Sequence, residues 1–190
     1  MAHISIIGTG NMGQAISGLV AKGGNTVELL NSSHADTPVT GDIVVLAVPY
    51  GSVADVIAQR GEQLAGKVVV DITNPVDFAT FDGLTVPSDS SAAAEIAAKL
   101  PQSSVLKAFN TNFGGTLVAG TVGTETTTVL IAGDDADAKA LLTGVIAAAG
   151  LKAIDAGSLK RARELEALGF LQITLAAGEK ITWTGGFAVT

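Results

Sequence analysis

The chain contains no cysteine, which removes disulfides, thiol catalysis and thiolate metal sites in one step. Histidine is nearly as scarce. His3 and His34 are the only imidazoles, too few for an ordinary zinc site, so no metal ligands are assigned. Positive charge is sparse as well, with 11 Lys and Arg against 18 Asp and Glu and a net charge of −7. Without an extended basic cluster, neither nucleic acid nor an anionic membrane is expected as a partner, and a polyanionic ligand has to be held locally. Long apolar runs are missing too. Mean hydropathy is +0.46, but the Ala, Val, Ile and Leu residues fall in short stretches broken by Gly, Asp, Thr or Pro, none near the roughly 18 residues of a membrane span. The opening Met1-Ala2-His3-Ile4-Ser5 has no basic region followed by an apolar stretch, so no signal peptide and a cytoplasmic location are expected. A length of 190 residues suits one core, hence one domain over 1–190, with 158–190 as a C-terminal helix and tail.

What the chain does have is glycine in a particular place. Gly8-Thr9-Gly10-Asn11-Met12-Gly13 follows the apolar run Ile4-Ser5-Ile6-Ile7 and opens a helical pattern from Gln14 to Ala21. A strand ends, the first glycine turns the backbone, the second admits a pyrophosphate, and the third lets helix and strand pack closely. The helix N-terminus then offers free N–H groups and a partial positive charge to the phosphates. The predicted fold is a Rossmann-type, doubly wound α/β domain with a mostly parallel sheet and helices on both faces.

Lys22-Gly23-Gly24 ends the first helix, and Thr26 to Leu30 reads as the second strand. A dinucleotide fold usually places an Asp or Glu at the end of that strand to hold the adenosine ribose. Here the residues are Asn31-Ser32-Ser33-His34. A carboxylate would repel a 2′-phosphate, whereas an amide, two hydroxyls and an imidazole can donate to one, so these residues favour NADP over NAD. His34 is read either as such a donor or as a solvated loop histidine. Only the stretch Asn31 to Gly41 separates this strand from the next, Asp42 to Pro49, which is near the minimum of about 10 to 12 residues for a parallel crossover. The usual edge strand is therefore expected to be absent, with Ile43 to Val48 lying directly beside strand one.

Ser52 with Asp55 reads as a capping box for a helix to about Gln63, and Lys67 to Ile72 as another buried strand. Proline halts both neighbouring strands, in Ala47-Val48-Pro49-Tyr50 and in Thr73-Asn74-Pro75. Both groups fall at the carboxyl rim, where ligands bind in an open parallel sheet, and both are assigned to the cofactor. Downstream, Asp77 to Asp89 reads as a loop and Ser91 to Leu100 as a helix. Val105 to Phe109 is a strand, continued at the rim by a polar, flexible Asn110 to Gly115. Thr126 to Ala132 is a strand, Gly133-Asp134 with Asp137 caps a helix to about Ala149, and Leu151 to Asp155 is a short strand. The last helix runs from Ser158 to about Lys180. Its apolar half, Leu168, Phe170, Leu171, Ile173 and Leu175, packs across the sheet or against a second subunit. The apolar content and the Trp183 to Phe187 segment favour a homodimer, although the same aromatics could fill the core.

No acid-base apparatus for a carbonyl substrate is evident. The sole tyrosine, Tyr50, has Ala54 four residues on, so the Tyr-x-x-x-Lys pair of short-chain dehydrogenases is missing. Lys107 is read as a solvated strand-end lysine in preference to an acid. Hydride transfer between two cofactor rings needs positioning above all, and no such acid. Phe109, Asn110 and Thr111 are then assigned to the second ring, across an open slot from Asn74. A non-catalytic NADP(H) sensor using the same glycine loop is the alternative.

Gly8 to Gly13, Val48-Pro49, Asp71-Ile72-Thr73-Asn74-Pro75, Lys107-Ala108-Phe109-Asn110-Thr111, Asp155-Ala156-Gly157-Ser158-Leu159 and Ala162-Arg163-Glu164-Leu165-Glu166 occur in an order that resembles the NADPH-dependent coenzyme F420 reductases. The chain is also similar to the oxidoreductase domain of STEAP-type metalloreductases. The resemblance implies NADP(H) along the strand ends, with F420, or FMN or FAD, as a second ring and small-molecule electron acceptor. Two departures stand out: family members usually have Ser-Arg where this chain has Ser32-Ser33, and they carry the edge strand.

Because a hydrogen bond to a charged group is worth about 1.5 to 3 kcal/mol, NADPH is expected to bind roughly tenfold or more tighter than NADH. Ser32→Asp should reverse the order, as read by the two dissociation constants.

Overall fold

Side chains alternate along a strand, so a sheet buried on both faces sorts its residues into two cores. The computed structural model describes residues 1–34 and 37–190, with His34 described in its backbone alone; the imidazole assignment at His34 therefore lies outside the described residues. Seven strands form the main sheet, in the order β2 (Thr26–Leu30), β1 (His3–Ile7), β3 (Ile43–Leu46), β4 (Val68–Asp71), β5 (Ser104–Lys107), β8 (Thr128–Gly133) and β9 (Lys152–Gly157). All neighbours are parallel except β5 with β8. Ile4, Ile6, Ile43, Val45, Val70 and Leu106 face one core, covered by α1 (Asn11–Lys22) and α5 (Ala136–Ala148). Ile7, Val44, Leu46, Val69 and Val105 face the other, covered by α2 (Val53–Leu64) and α3 (Ala92–Lys99). This is the Rossmann-type arrangement expected from the glycine motif. No helix among the described residues is long and apolar enough to cross a membrane.

The edge strand is absent among the described residues, and β3 pairs directly with β1, Ile4 opposite Ile43 and Ile7 opposite Leu46. The connection is pinned as it returns under the sheet. Gly41 N–H donates to Ser5 Oγ at 2.8 Å, Lys67 Nζ donates to Gly41 O at 2.7 Å, and the Thr40 N–H and hydroxyl both donate to Glu28 Oε1.

Several local expectations need correction. Ser52 makes no cap bond, because it closes a 3₁₀ turn over Tyr50–Ser52 in helical conformation and runs straight into α2. The cap of α5 is Asp135, whose carboxylate accepts from Asp137 N and Ala138 N; Asp134 instead accepts from Leu159 N at 2.9 Å. The segment after Asn112 is ordered by a short helix α4 (Gly114–Ala119), followed by a hairpin of β6 (Thr121–Val122) and β7 (Glu125–Thr126) that the residue pattern did not reveal. The last helix begins with a 3₁₀ turn at Leu159–Arg161, and α6 proper covers Ala162–Ala177.

Gly41 tests the crossover. A Cβ there would lie 2.4 Å from Ser5 N and 2.9 Å from Ile4 C, backbone atoms of a central strand that cannot yield. Gly41→Ala should lower unfolding stability by about 1 to 3 kcal/mol, the range for overpacking, measurable by urea denaturation.

Candidate functional site

The glycine loop joins β1 to α1 at the carboxyl rim. Gly8 sits at φ +121°, and a Cβ on it would fall 2.1 Å from Ala47 O, so the turn is possible only for glycine and touches the end of β3. A Cβ at Gly13 would fall 2.1 Å from Gly8 O, which is the close helix-to-strand approach the motif predicts. Gly10 differs. It is exposed, and a Cβ there would meet nothing within 4 Å. Gly10 is also the N-cap of α1, with no side-chain cap and no acidic residue in the first turn. The first N–H groups of this three-turn helix thus carry no side-chain cap and the space at Gly10 is open, an arrangement that can receive a phosphate. Thr9 and Asn11 are exposed beside it and Met12 is half-buried.

At the end of β2, Asn31 Oδ1 accepts from Ser33 N at 2.9 Å and from Ser33 Oγ at 2.6 Å. Ser32 and Ser33 are exposed in the 3₁₀ turn that follows. No carboxylate is contributed by these residues, so the chemistry is that of hydroxyl donors. Ala47 and Val48 are half-buried and Pro49 is exposed, while Tyr50 turns its hydroxyl away to donate to Glu95 Oε2 at 2.5 Å. Burial, with that bond and the nearby carboxylates, holds the phenol above its ordinary range.

The rim at β4 and β5 is built differently, around buried charge. Lys107 is completely buried, which corrects the expectation of a solvated lysine. Its Nζ lies 2.7 Å from Asp71 Oδ2 and 2.8 Å from Glu166 Oε1, and it donates to Thr73 O at 2.5 Å. Asp71 and Lys107 are register partners on neighbouring strands, so their side chains leave the same face of the sheet. Glu166 arrives from α6 and also accepts from Ala92 N at 2.9 Å and Ala93 N at 3.3 Å, at the start of α3. Burial raises the Glu166 carboxyl above its ordinary value, with Lys107 and the Ala92 N–H pulling against that shift.

Above this cluster, Asn74 Nδ2 donates to Asn110 O at 2.8 Å, and Asn110 Nδ2 donates both to Asn74 Oδ1 at 2.9 Å and to Leu165 O at 2.8 Å. Helix α6 rests on this pair. A Cβ at Gly169 would fall 2.3 Å from Asn74 Oδ1. Phe109, Asn110 and Thr111 are all buried, so they do not line an open slot as expected. Phe109 belongs to the apolar core at φ +61°, Asn110 is held by Asn74 and α6, and Thr111 O accepts from buried Gln172 Nε2 at 3.2 Å. They shape the rim from beneath. The continuation through Gly115 is likewise held in place. Trp183 packs on Phe113 with ring centroids 4.9 Å apart, and Phe187 N donates to Gln172 Oε1 at 3.2 Å.

The structure thus brings together the glycine loop, the Ala47 to Tyr50 turn and Asn74 along one rim. Sequence reasoning missed Asp71, Lys107 and Glu166 as a unit, and Gly169 and Gln172 as contacts. The available signals were charged residues ending otherwise apolar strands, which need partners, and a glycine within an apolar helix. A cavity of about 730 Å³ between the far ends of α2 and α3, lined by Arg60, Gln63, Lys99 and Gln102 among others, is remote from the rim residues.

A family model described as NADP oxidoreductase, coenzyme F420-dependent, matches residues 27–75, from β2 through Pro75. The F420-dependent NADP reductase of Methanocaldococcus jannaschii is 31% identical over 166 residues, covering 85% of this chain and 74% of that one. Metalloreductase STEAP3 of Rattus norvegicus is 35% identical over 112 residues, 59% of this chain but 22% of that protein. A crystal structure from Arthrobacter sp. FB24, assigned as an F420-dependent NADP-reductase, has a TM-score of 0.86 and 26% identity, with 100% of both chains covered. Pyrroline carboxylate reductase of Plasmodium falciparum, solved with NADP bound, shares the fold at a TM-score of 0.60 and 13% identity, over 94% of this chain and 70% of that one.

Proposed function

Since the chain belongs to the coenzyme F420-dependent NADP oxidoreductase family, we propose that it moves hydride between NADPH and a flat deazaflavin or flavin acceptor, F420 or FMN/FAD. One observation carries the reading. The uncapped N-terminus of α1, with open space at Gly10, lies on the same rim as the ends of β3 and β4. On this reading the loop Gly8 to Gly13 binds the pyrophosphate through backbone N–H groups, and Ser32 donates to the 2′-phosphate, joined by Ser33 when its hydroxyl turns from Asn31 Oδ1. Ala47 to Tyr50 and Thr73 to Pro75 hold the nicotinamide end. The cofactor supplies the hydride, carried as two electrons and a proton from its ring. The chain supplies position: Asn74 has one amide N–H and one oxygen lone pair beyond its bonds to Asn110, suited to the cofactor's carboxamide. The acceptor takes the hydride and a solvent proton, so no protein acid is required.

Asn74→Ala removes this orienting contact and leaves the phosphate contacts in place. Turnover with the acceptor should fall on the order of tenfold to a hundredfold with only a modest rise in the NADPH dissociation constant. Stopped-flow oxidation of NADPH by F420, FMN, FAD and a ferric acceptor measures this and identifies the acceptor; unchanged turnover would place the reaction elsewhere.

The protein is further proposed to act as a homodimer. Helix α6 buries its small and polar face, Ala162, Glu166, Gly169, Gln172 and Ala176, and leaves Leu171 at 48%, Trp183 at 55% and Phe187 at 47% exposure. Such a surface is suited to a second copy. Light scattering at micromolar concentration should give twice the chain mass, and a monomer contradicts the assembly.

A further inference from the structure

The cluster beneath the rim is not charge-balanced. Two carboxylates, Asp71 and Glu166, share one ammonium, Lys107, and all three side chains are completely buried. Both oxygens of Glu166 accept hydrogen bonds, Oε1 from Lys107 and Ala93 N–H and Oε2 from Ala92 N–H, the pattern of an acceptor-only, ionised carboxylate. The start of α3 adds about half a positive charge, which leaves the cluster negative by about half a unit. Glu95, bonded to Tyr50 on the same face, adds to the negative side, and Lys99 on α3 is exposed, where water screens it. The cluster is wired to the rim, since Lys107 donates to Thr73 O, the carbonyl immediately before Asn74.

We infer that the buried Asp71–Lys107–Glu166 cluster biases the redox balance of the cofactor held above it, favouring oxidised NADP⁺ over NADPH. The inference rests on the placement of the nicotinamide at Asn74. Loss of a hydride turns the neutral nicotinamide into a cation, with NADPH, acceptor and one solvent proton giving NADP⁺ and the two-electron-reduced acceptor. A fixed negative charge in a water-excluded site beneath the ring favours the cationic side of that exchange. It makes the bound NADPH a stronger hydride donor.

The test is the ratio of the dissociation constants for NADP⁺ and NADPH, measured by calorimetry on the wild-type chain, Glu166→Gln, Asp71→Asn and Glu166→Asp. Neutralising either carboxylate should raise that ratio by about five- to tenfold; tenfold corresponds to about 30 mV for a two-electron couple. Glu166→Asp keeps the charge and should keep the ratio near wild type even if both affinities fall. A purely structural role moves both dissociation constants together, so an unchanged or lowered ratio in a neutralised variant overturns the inference. Thermal unfolding of the free protein identifies which variants fold, and because Asp71 lies on β4 and Glu166 on α6, either one decides alone. Failure of the wild-type chain to bind either nucleotide would instead sink the proposed function.

Discussion

A fully buried lysine ammonium must be met by carboxylates, and much of the molecule is arranged by that requirement. Lys107 ends β5, Asp71 ends β4 beside it, and Glu166 comes from α6. Removing these charges from water costs several kcal/mol per ion, which mutual attraction repays only when every donor and acceptor is satisfied. The cluster is therefore a weak source of net stability and a strong source of geometry. Glu166 can reach Lys107 only if α6 lies across the rim, and its second oxygen finds the N-terminus of α3. One ion cluster thereby joins two strands and two helices at the end of the sheet where chemistry is expected.

The position of α6 then determines what the rim can present. Gly169 lets the helix close onto Asn74 and Asn110, and Gln172 ties Thr111 to the tail at Phe187. The reciprocal amide pair fixes the direction of Asn74, so the group proposed to orient the cofactor is held in place by the protein itself. Such preorganisation is what ring-to-ring hydride exchange demands of a protein that offers little acid-base chemistry.

On the other side of the crevice the device is close backbone packing. Gly8 against Ala47 and Gly13 against Gly8 draw β1, β3 and α1 together, and the absence of a cap at Gly10 keeps the helix N-terminus available. The short link between β2 and β3 shows no edge strand among the described residues and leaves this arrangement undisturbed, because β3 pairs with β1 in register. The departure is confined to the β2 side of the sheet.

The glycine loop, the strands of the main sheet and their parallel order near β1 were legible in the residues, since they depend on short-range periodicity, on glycine spacing and on the length of the link after Asn31. The strands β3 and β4 were legible for the same reason, although they end at Leu46 and Asp71, before the prolines that were expected to halt them. Asn110 and Thr111 were misjudged as surface residues because polarity alone does not reveal a buried hydrogen-bond partner, and here the partners lie 36 to 61 positions away in the chain. Lys107 was misjudged likewise: a lysine at a strand end is ordinarily solvated, and only the packing of α6 encloses it. By itself the sequence determined the glycine turn and the uncapped start of α1, because both are made of local backbone. Tertiary structure alone decided the character of the other half of the rim, because burying one cation between two carboxylates requires three distant segments to meet.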